Sequence, residues 1–223
     1  MSDLLPLFPL PNVVLFPNVF LPLHIFEPRY RNMVADALAG DRLIGMVLLK
    51  PGWERDYEGR PPVYPVGCSG LITHAERLAD GRYHIVLRGV ERFRIIREDH
   101  ARMYRCASTE PIVDEELKPD DHLVLRSQRA KLEAMLAPAA ERPSRASGSD
   151  LVVERSGASF RIPATMADDD LINGLAQYLD LDPLEKQALL EQRGLRARAE
   201  SLVELLEMKM MMARVPRVPD VAH

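Results

Sequence analysis

His24 and Glu27 form an HxxE pair within Leu21-Pro22-Leu23-His24-Ile25-Phe26-Glu27-Pro28. An imidazole and a carboxylate so spaced can share a metal ion, or serve as a base and the group that orients it. A catalytic zinc needs three protein ligands, and no third accompanies this pair. The preferred reading is structural: His24 ends a strand, and Glu27 either receives main-chain N–H groups at a helix start or pairs with a nearby arginine. Gly67-Cys68-Ser69-Gly70 is not a nucleophile elbow, because its serine lacks the glycine spacing that exposes such a residue on a strand-to-helix turn. Cys68 has no helix start or base beside it. Neither Cys68 nor Cys106 belongs to a CxxC pair, so two buried free thiols in a reducing compartment are expected. Ser127 and Lys131 have helical spacing for a hydrolytic dyad, but they lie beside Arg126 and Arg129 on what reads as a solvated helix face. No catalytic residue, metal ligand or cofactor site is assigned.

Two further patterns point to binding rather than catalysis. Arg77, Arg82, Arg88, Arg92, Arg94, Arg97, Arg102 and Arg105 are interleaved with Tyr83, Phe93 and Tyr104. Alternation on a strand would put Arg92 and Arg94 on one face and Phe93 and Ile95 on the other. Such a stripe, Arg88, Arg92, Arg94 and Arg97 above all, could grip phosphates of RNA. Glu76, Asp80, Glu91, Glu98 and Asp99 dilute it, which favours an ordinary charged face. Met208, Met210, Met211 and Met212 crowd the end of the last helix. Methionine adapts to varied apolar partners, so this end could hold unfolded segments, or fill a core.

These residues must be positioned by two kinds of element. Leu4–Phe8, Val13–Phe16 and Val19–Ile25 are short apolar stretches broken by proline, as in edge strands and bends. Pro28 suits the first turn of a helix carrying Tyr30, Met33, Val34, Ala37 and Leu38 on one face, closed by Gly40. Leu43–Leu49 reads as a buried strand and 51–65 as a long loop. Val66–Leu78 and Arg82–Leu87 flank an Asp80-Gly81 hairpin signal, and a second turn is expected at Arg88-Gly89 before Val90–Arg97 and Met103–Val113. From Asp114 to Asp121 the chain is acidic and reads as a linker. Helical periodicity follows over Leu123–Leu136. A Pro-, Ser-, Gly- and Arg-rich run at 138–163 reads as an exposed loop. Further helices are expected after Asp168-Asp169-Asp170, from the near capping box Asp182-Pro183-Leu184-Glu185 to Gly194, and from Leu195 to near Pro216.

The N-terminal residues Leu5-Pro6-Leu7-Phe8-Pro9-Leu10, Val13-Val14-Leu15-Phe16-Pro17 and Leu21-Pro22-Leu23-His24-Ile25-Phe26-Glu27-Pro28-Arg29-Tyr30 together resemble the opening signature of the Lon protease N-terminal domain. Ile44-Gly45-Met46-Val47-Leu48, Val66-Gly67-Cys68, Asp80-Gly81-Arg82-Tyr83 and Arg88-Gly89-Val90-Glu91-Arg92-Phe93 continue it in order. The tail from Asp182 to Glu207 is similar to that family as well. The resemblance implies an α+β chain that is mainly β in its N-terminal part: a PUA-like β-barrel with an embedded helix over 1–117, a helical bundle over 118–214 and a tail at 215–223. It also implies a role in recognising polypeptide, either unfolded or degron-bearing protein or a partner protein. The candidate contact residues are Phe16, Phe20, Phe26, Tyr30, Met208, Met211 and Met212, with an apolar patch at the barrel–bundle junction as the seat. No GxxxxGK[ST] phosphate loop occurs in the sequence, so the chain reads as a stand-alone, non-catalytic Lon-type domain without the ATPase and protease modules.

Composition sets the outer limits. The 223 residues carry 29 Lys and Arg against 33 Asp and Glu, a net charge of −4, which argues against a globally basic nucleic-acid binder. At 47% hydrophobic residues the chain can build a core. The apolar run from Leu4 to Phe26 is interrupted by Pro6, Pro9, Pro11, Pro17 and Pro22, and no Lys or Arg precedes Arg29. A secretory signal or membrane span is therefore not expected, and a cytoplasmic location is.

Overall fold

The structure is a computed structural model describing residues 4–57, 59–140, 163 and 165–214. Its strands are β1 (Leu5–Leu10), β2 (Phe20–Ile25), β3 (Leu43–Leu48), β4 (Val66–Arg77), β5 (Tyr83–Asp99) and β6 (Arg105–Pro111). Its α-helices are α1 (Pro28–Ala39), α2 (Pro119–Ala140), α3 (Asp168–Tyr178), α4 (Pro183–Leu190) and α5 (Gly194–Arg214). The expected loop at 138–163 begins inside α2, and most of it lies outside the described residues, as does the tail at 215–223.

β5 organises the sheet. Along one edge it pairs with β4, and along the other it pairs first with β2, through Tyr83 to Arg88, and then with β6, through Phe93 to Asp99. Because β6 also pairs with β1, and β1 runs parallel to β3 beside β4, the ladder β1–β3–β4–β5–β6 closes on itself with β2 added outside. The ring is irregular rather than a clean barrel, with register shifts at Cys68/Gly70, Ile72/His74 and Ile95/Arg97. Gly89 marks the change of partner. Its amide donates to the Val19 carbonyl and its carbonyl accepts from Asn18, both at 2.9 Å, and a Cβ there would lie 2.0 Å from the Phe16 carbonyl oxygen. The glycine expected to make a turn is instead the point where another backbone passes close to an unbroken strand. Val13–Phe16 is likewise not a strand; it crosses as irregular chain with Val14, Leu15 and Phe16 all buried.

A ring this narrow holds few side chains. Leu7, Val47, Phe93 and Ala107 fill it, with the partly buried Leu5, Val63 and Ile95 packed against them. The Phe93 ring fits because Gly45 and Gly67 face it: a Cβ at either would sit 2.8 or 2.7 Å from its Cζ. The larger core lies outside the ring. It runs from Phe8, Tyr30, Met33 and Val34 under α1, through Leu15, Phe16, Ile72 and Leu87, to Leu171, Ile172, Leu175, Leu189, Leu190, Leu202 and Val203 of the helices.

Local chemistry sets the helix ends largely as the sequence indicates. Pro28 opens α1, and Gly40 closes it, its amide N–H donating to the Ala37 carbonyl at 3.1 Å. At α4 the Asp182 amide donates to Glu185 Oε2 at 2.7 Å, one arm of a capping box. Gly194 differs from expectation. α4 already ends at Leu190, and Gly194, at φ +82°, turns the chain into α5.

The helices are fastened to the sheet by buried polar contacts. Arg92, 3% exposed, donates from Nη1 to the main-chain oxygens of Leu190 and Gln192, both at 2.7 Å, and from Nη2 to Asp114. A cation is thus set against the carbonyl end of α4. Arg198 meets the same Asp114 carboxylate at 3.5 Å and donates to Asn173 Oδ1 at 3.0 Å. Asp114, at the start of the acidic segment read as a linker, is part of this junction.

Candidate functional site

Beyond the end of β1, the first turn of α1 meets the long 51–65 loop and the turn between β5 and β6. Between them lies a cleft of about 760 Å³, lined by Phe26, Glu27, Arg29, Tyr57, Arg60 and Met103, with Tyr30, Tyr104 and Arg105 among its walls. Pro28 fixes the start of α1, so Glu27 and Arg29 are delivered to one rim. A neighbouring hollow of about 460 Å³, bounded by Asn32, Asp36 and Arg102, shares Met103 and Tyr104 with the first. The two make a groove with a polar cluster at each end.

At one end the Tyr57 hydroxyl donates to Glu27 Oε1 at 2.5 Å, and Arg29 Nε meets Glu27 Oε2 at 3.0 Å. Burial, and then the hydrogen bond to Glu27, pushes the Tyr57 phenol above its usual range. Burial pushes Tyr30 up to about 12. At the other end the Tyr104 hydroxyl donates to Asp36 Oδ2 at 2.6 Å, and Arg102 meets the same oxygen at 2.8 Å. Burial and then Asp36 push Tyr104 up to about 12. These phenols are therefore neutral at neutral pH. Arg105 points inward to the Pro61 carbonyl and to Glu98, and Arg60 bridges to the carbonyls of Asp99 and Arg102. Phe26, 60% exposed, and Met103, 77% exposed, give the rim apolar surface. The arrangement offers hydrogen-bond donors, cations and apolar side chains, which is equipment for holding a ligand.

The sequence candidates scatter across the molecule. Phe26 and Tyr30 reach the cleft, Tyr30 as a buried wall. Phe16 is fully buried, its amide donating to Gln177 Oε1 at 3.2 Å, so the expected apolar patch at the junction is interior, closed by the docked helices. Phe20 is half exposed on β2, where its carbonyl accepts from Tyr178 Oη at 3.1 Å. Met208, Met210, Met211 and Met212 are exposed on α5 rather than filling a core, and they do not line the groove. The arginine stripe loses a member, because Arg92 is buried at the junction; of the others, Arg94 lies 3.9 Å from Glu110, Arg88 reaches Asn18 Oδ1 at 3.4 Å, and Arg97 is exposed.

His24 and Glu27 diverge. Glu27 takes the arginine pairing, while the exposed His24 ring lies 4.9 Å from His84. Among the described residues no group of three or more His, Cys, Asp or Glu side chains is placed to hold a metal ion. Lys131 faces Glu207 at 3.9 Å rather than serving Ser127, and the Cys68 thiol is buried and pushed up to about 12 by that burial. Among the described residues no helix is long and apolar enough to cross a membrane. Sequence reasoning missed Tyr57, Arg60, Met103 and Arg105 as groove residues. The available signal was the length of the 51–65 loop, since long ordered loops in compact domains are commonly functional.

Comparison with known proteins agrees with this architecture. The chain is 28% identical over 208 residues to Lon protease 2 of Myxococcus xanthus, covering 93% of this chain and 24% of that one. It is 27% identical over 200 residues to the Lon protease of Flavobacterium johnsoniae, covering 87% and 23%. The chain thus spans about a quarter of the length of the curated relatives it matches. In fold it is similar to the N-terminal domain of the Mycobacterium avium complex Lon protease (TM-score 0.63, 16% identity, 92% of this chain and 98% of that one). It is also similar to a Lon N-terminal domain protein from Xanthomonas campestris (TM-score 0.53, 22% identity, 96% and 99%). The profile of one family covers residues 4–208, nearly all of the closed ring and the helices docked on it, and by that match the chain belongs to the ATP-dependent protease La (LON) substrate-binding domain family.

Proposed function

We propose that this chain recognises polypeptide without cleaving it, and that an extended segment is held in the groove between α1, the 51–65 loop and the β5–β6 turn. The observation that carries the reading is the pairing of exposed apolar Phe26 and Met103 with the fixed arginine N–H groups beside them. Apolar side chains of a bound segment would cover the rim, while arginine N–H groups would take its main-chain carbonyls. Membership of a substrate-binding family supports the same reading. The occupants are unfolded or degron-bearing chains, or a partner protein, met in the cytoplasm, where the free thiols Cys68 and Cys106 stay reduced.

Hydrogen exchange read by mass spectrometry, with and without a reduced and carbamidomethylated polypeptide that cannot fold, tests this. Protection is expected at Tyr57–Pro61 and at Ala101–Arg105. Protection confined to other segments, or none at a polypeptide concentration of ~1 mM, overturns it.

A further inference from the structure

We infer that the groove selects its polypeptide by a carboxylate set beside an apolar residue, and that Arg60 is the cation that receives it. The inference rests on the proposed groove reading and names the ligand chemistry within it. Three guanidinium groups, those of Arg29, Arg60 and Arg105, line the larger cleft together with the Glu27 carboxylate. Arg29 is neutralised by Glu27 at 3.0 Å, and Arg105 faces Glu98 at 3.3 Å. Arg60 is held differently. Its Nη1 and Nη2 donate to the main-chain oxygens of Asp99 and Arg102, both at 3.1 Å, and among the described residues no carboxylate lies within ion-pair distance of it.

Carbonyl oxygens orient a guanidinium without cancelling its charge. Arg60 is therefore a pre-positioned fork with N–H groups to spare, tied to the β5–β6 turn so that little side-chain freedom remains to be lost on binding. Among the described residues, the three arginines set against Glu27 and Glu98 leave one positive charge, which matches one carboxylate. Arg105 is crowded by like charge: burial lowers its pKa, Glu98 and Tyr30 oppose that, and Arg60 and Arg29 add to it. An anion beside Arg60 would relieve this crowding. Phe26 and Met103 around the cleft supply the apolar surface. The carboxylate could come from a chain's C-terminus or from an Asp or Glu side chain, and the chemistry is the same.

The test uses the intact chain. Trp53 is its only tryptophan, and the indole lies 5.4 Å from the Tyr57 ring on the cleft wall, so Trp53 emission reports occupancy by small probes. Anisotropy reports three labelled peptides of one apolar sequence: one with a free C-terminus, one amidated, and one amidated with an internal Asp. At least one carboxylate-bearing peptide should bind about tenfold more tightly than the neutral one. Arg60→Gln should abolish that difference and Arg60→Lys should keep part of it. Equal binding of all three peptides overturns the carboxylate inference and leaves polypeptide recognition standing. If no peptide binds but N-acetylmethionine, and not its amide, quenches Trp53, the carboxylate site stands and polypeptide recognition falls. Silence from every probe removes both, and the wild-type comparison decides this even if a variant fails to fold.

Discussion

Arg92 on β5 and Leu190 at the end of α4, 98 positions apart in the chain, are joined by a 2.7 Å hydrogen bond from guanidinium to main-chain oxygen. The bond belongs to a set that also includes Gln192 and Asp114, and it is where the helices gain a fixed position on the sheet. Replacing Arg92 by methionine leaves the Leu190 and Gln192 carbonyls without their donor and leaves Asp114 to Arg198 alone. We expect a loss of about 3 kcal/mol in stability, read from urea unfolding. An unchanged unfolding midpoint would mean that the junction is held by apolar packing alone.

The interior of the ring makes a second prediction. A Cβ at Gly45 would meet the side chains of Leu5, Leu7 and Phe93 at 2.8–2.9 Å. Gly45→Ala should therefore cost about 1–3 kcal/mol. Phe93→Leu, harmful alone through the space it leaves, should relieve part of that cost. A double-mutant cycle should show favourable coupling of more than about 0.5 kcal/mol, whereas simple additivity would show that the ring does not fill this space. Gly67→Ala should gain no such relief, because its Cβ would also meet the Met46 carbonyl oxygen at 2.4 Å.

Stability should fall in alkali. Tyr30 is 4% exposed, and its burial, partly opposed by Arg29, pushes the phenol up to about 12 from a usual value of 10. The folded chain holds the proton more tightly than the unfolded one. The resulting stabilisation is complete below about pH 10 and is lost as pH rises through about 12, a change of about 2–3 kcal/mol. Urea unfolding of the wild type and of Tyr30→Phe across this range would show it, the variant having the shallower decline. Parallel declines would assign the loss to other groups.

The thiols should be inert. Burial raises both Cys68 and Cys106 above the usual thiol range, and the thiolate is the reactive form. Iodoacetamide at about pH 8 should label neither in the folded chain and both in urea. Native labelling of Cys68 would contradict its placement in the core.

Much of the fold was legible because its signals are local. Pro28 and Gly40 bracket α1, Asp80-Gly81 turns β4 into β5, and Asp182 with Glu185 starts α4, each through chemistry confined to a few neighbours. What escaped depends on partners distant in sequence. Arg92 reads as a surface cation because charged residues are rarely buried, and only Leu190, Gln192 and Asp114 explain its burial. Gly89 reads as a turn until the passing backbone at Phe16 is known. The candidate groove was legible in part, through Phe26 and Tyr30 beside the proline-rich signature. Tyr57, Arg60 and Met103 come from loops whose composition carries no periodicity, so their convergence is set only by the closed ring.

The most direct test of recognition in this groove is a binding titration against the unfoldable polypeptide, comparing wild type with a Phe26→Asp, Met103→Asp double variant. Both side chains are exposed, so the fold should be kept and only the apolar rim lost. The account predicts saturable binding by the wild type, weakened at least about tenfold in the variant. Equal binding by the two proteins, or none by the wild type up to ~1 mM polypeptide, would contradict it.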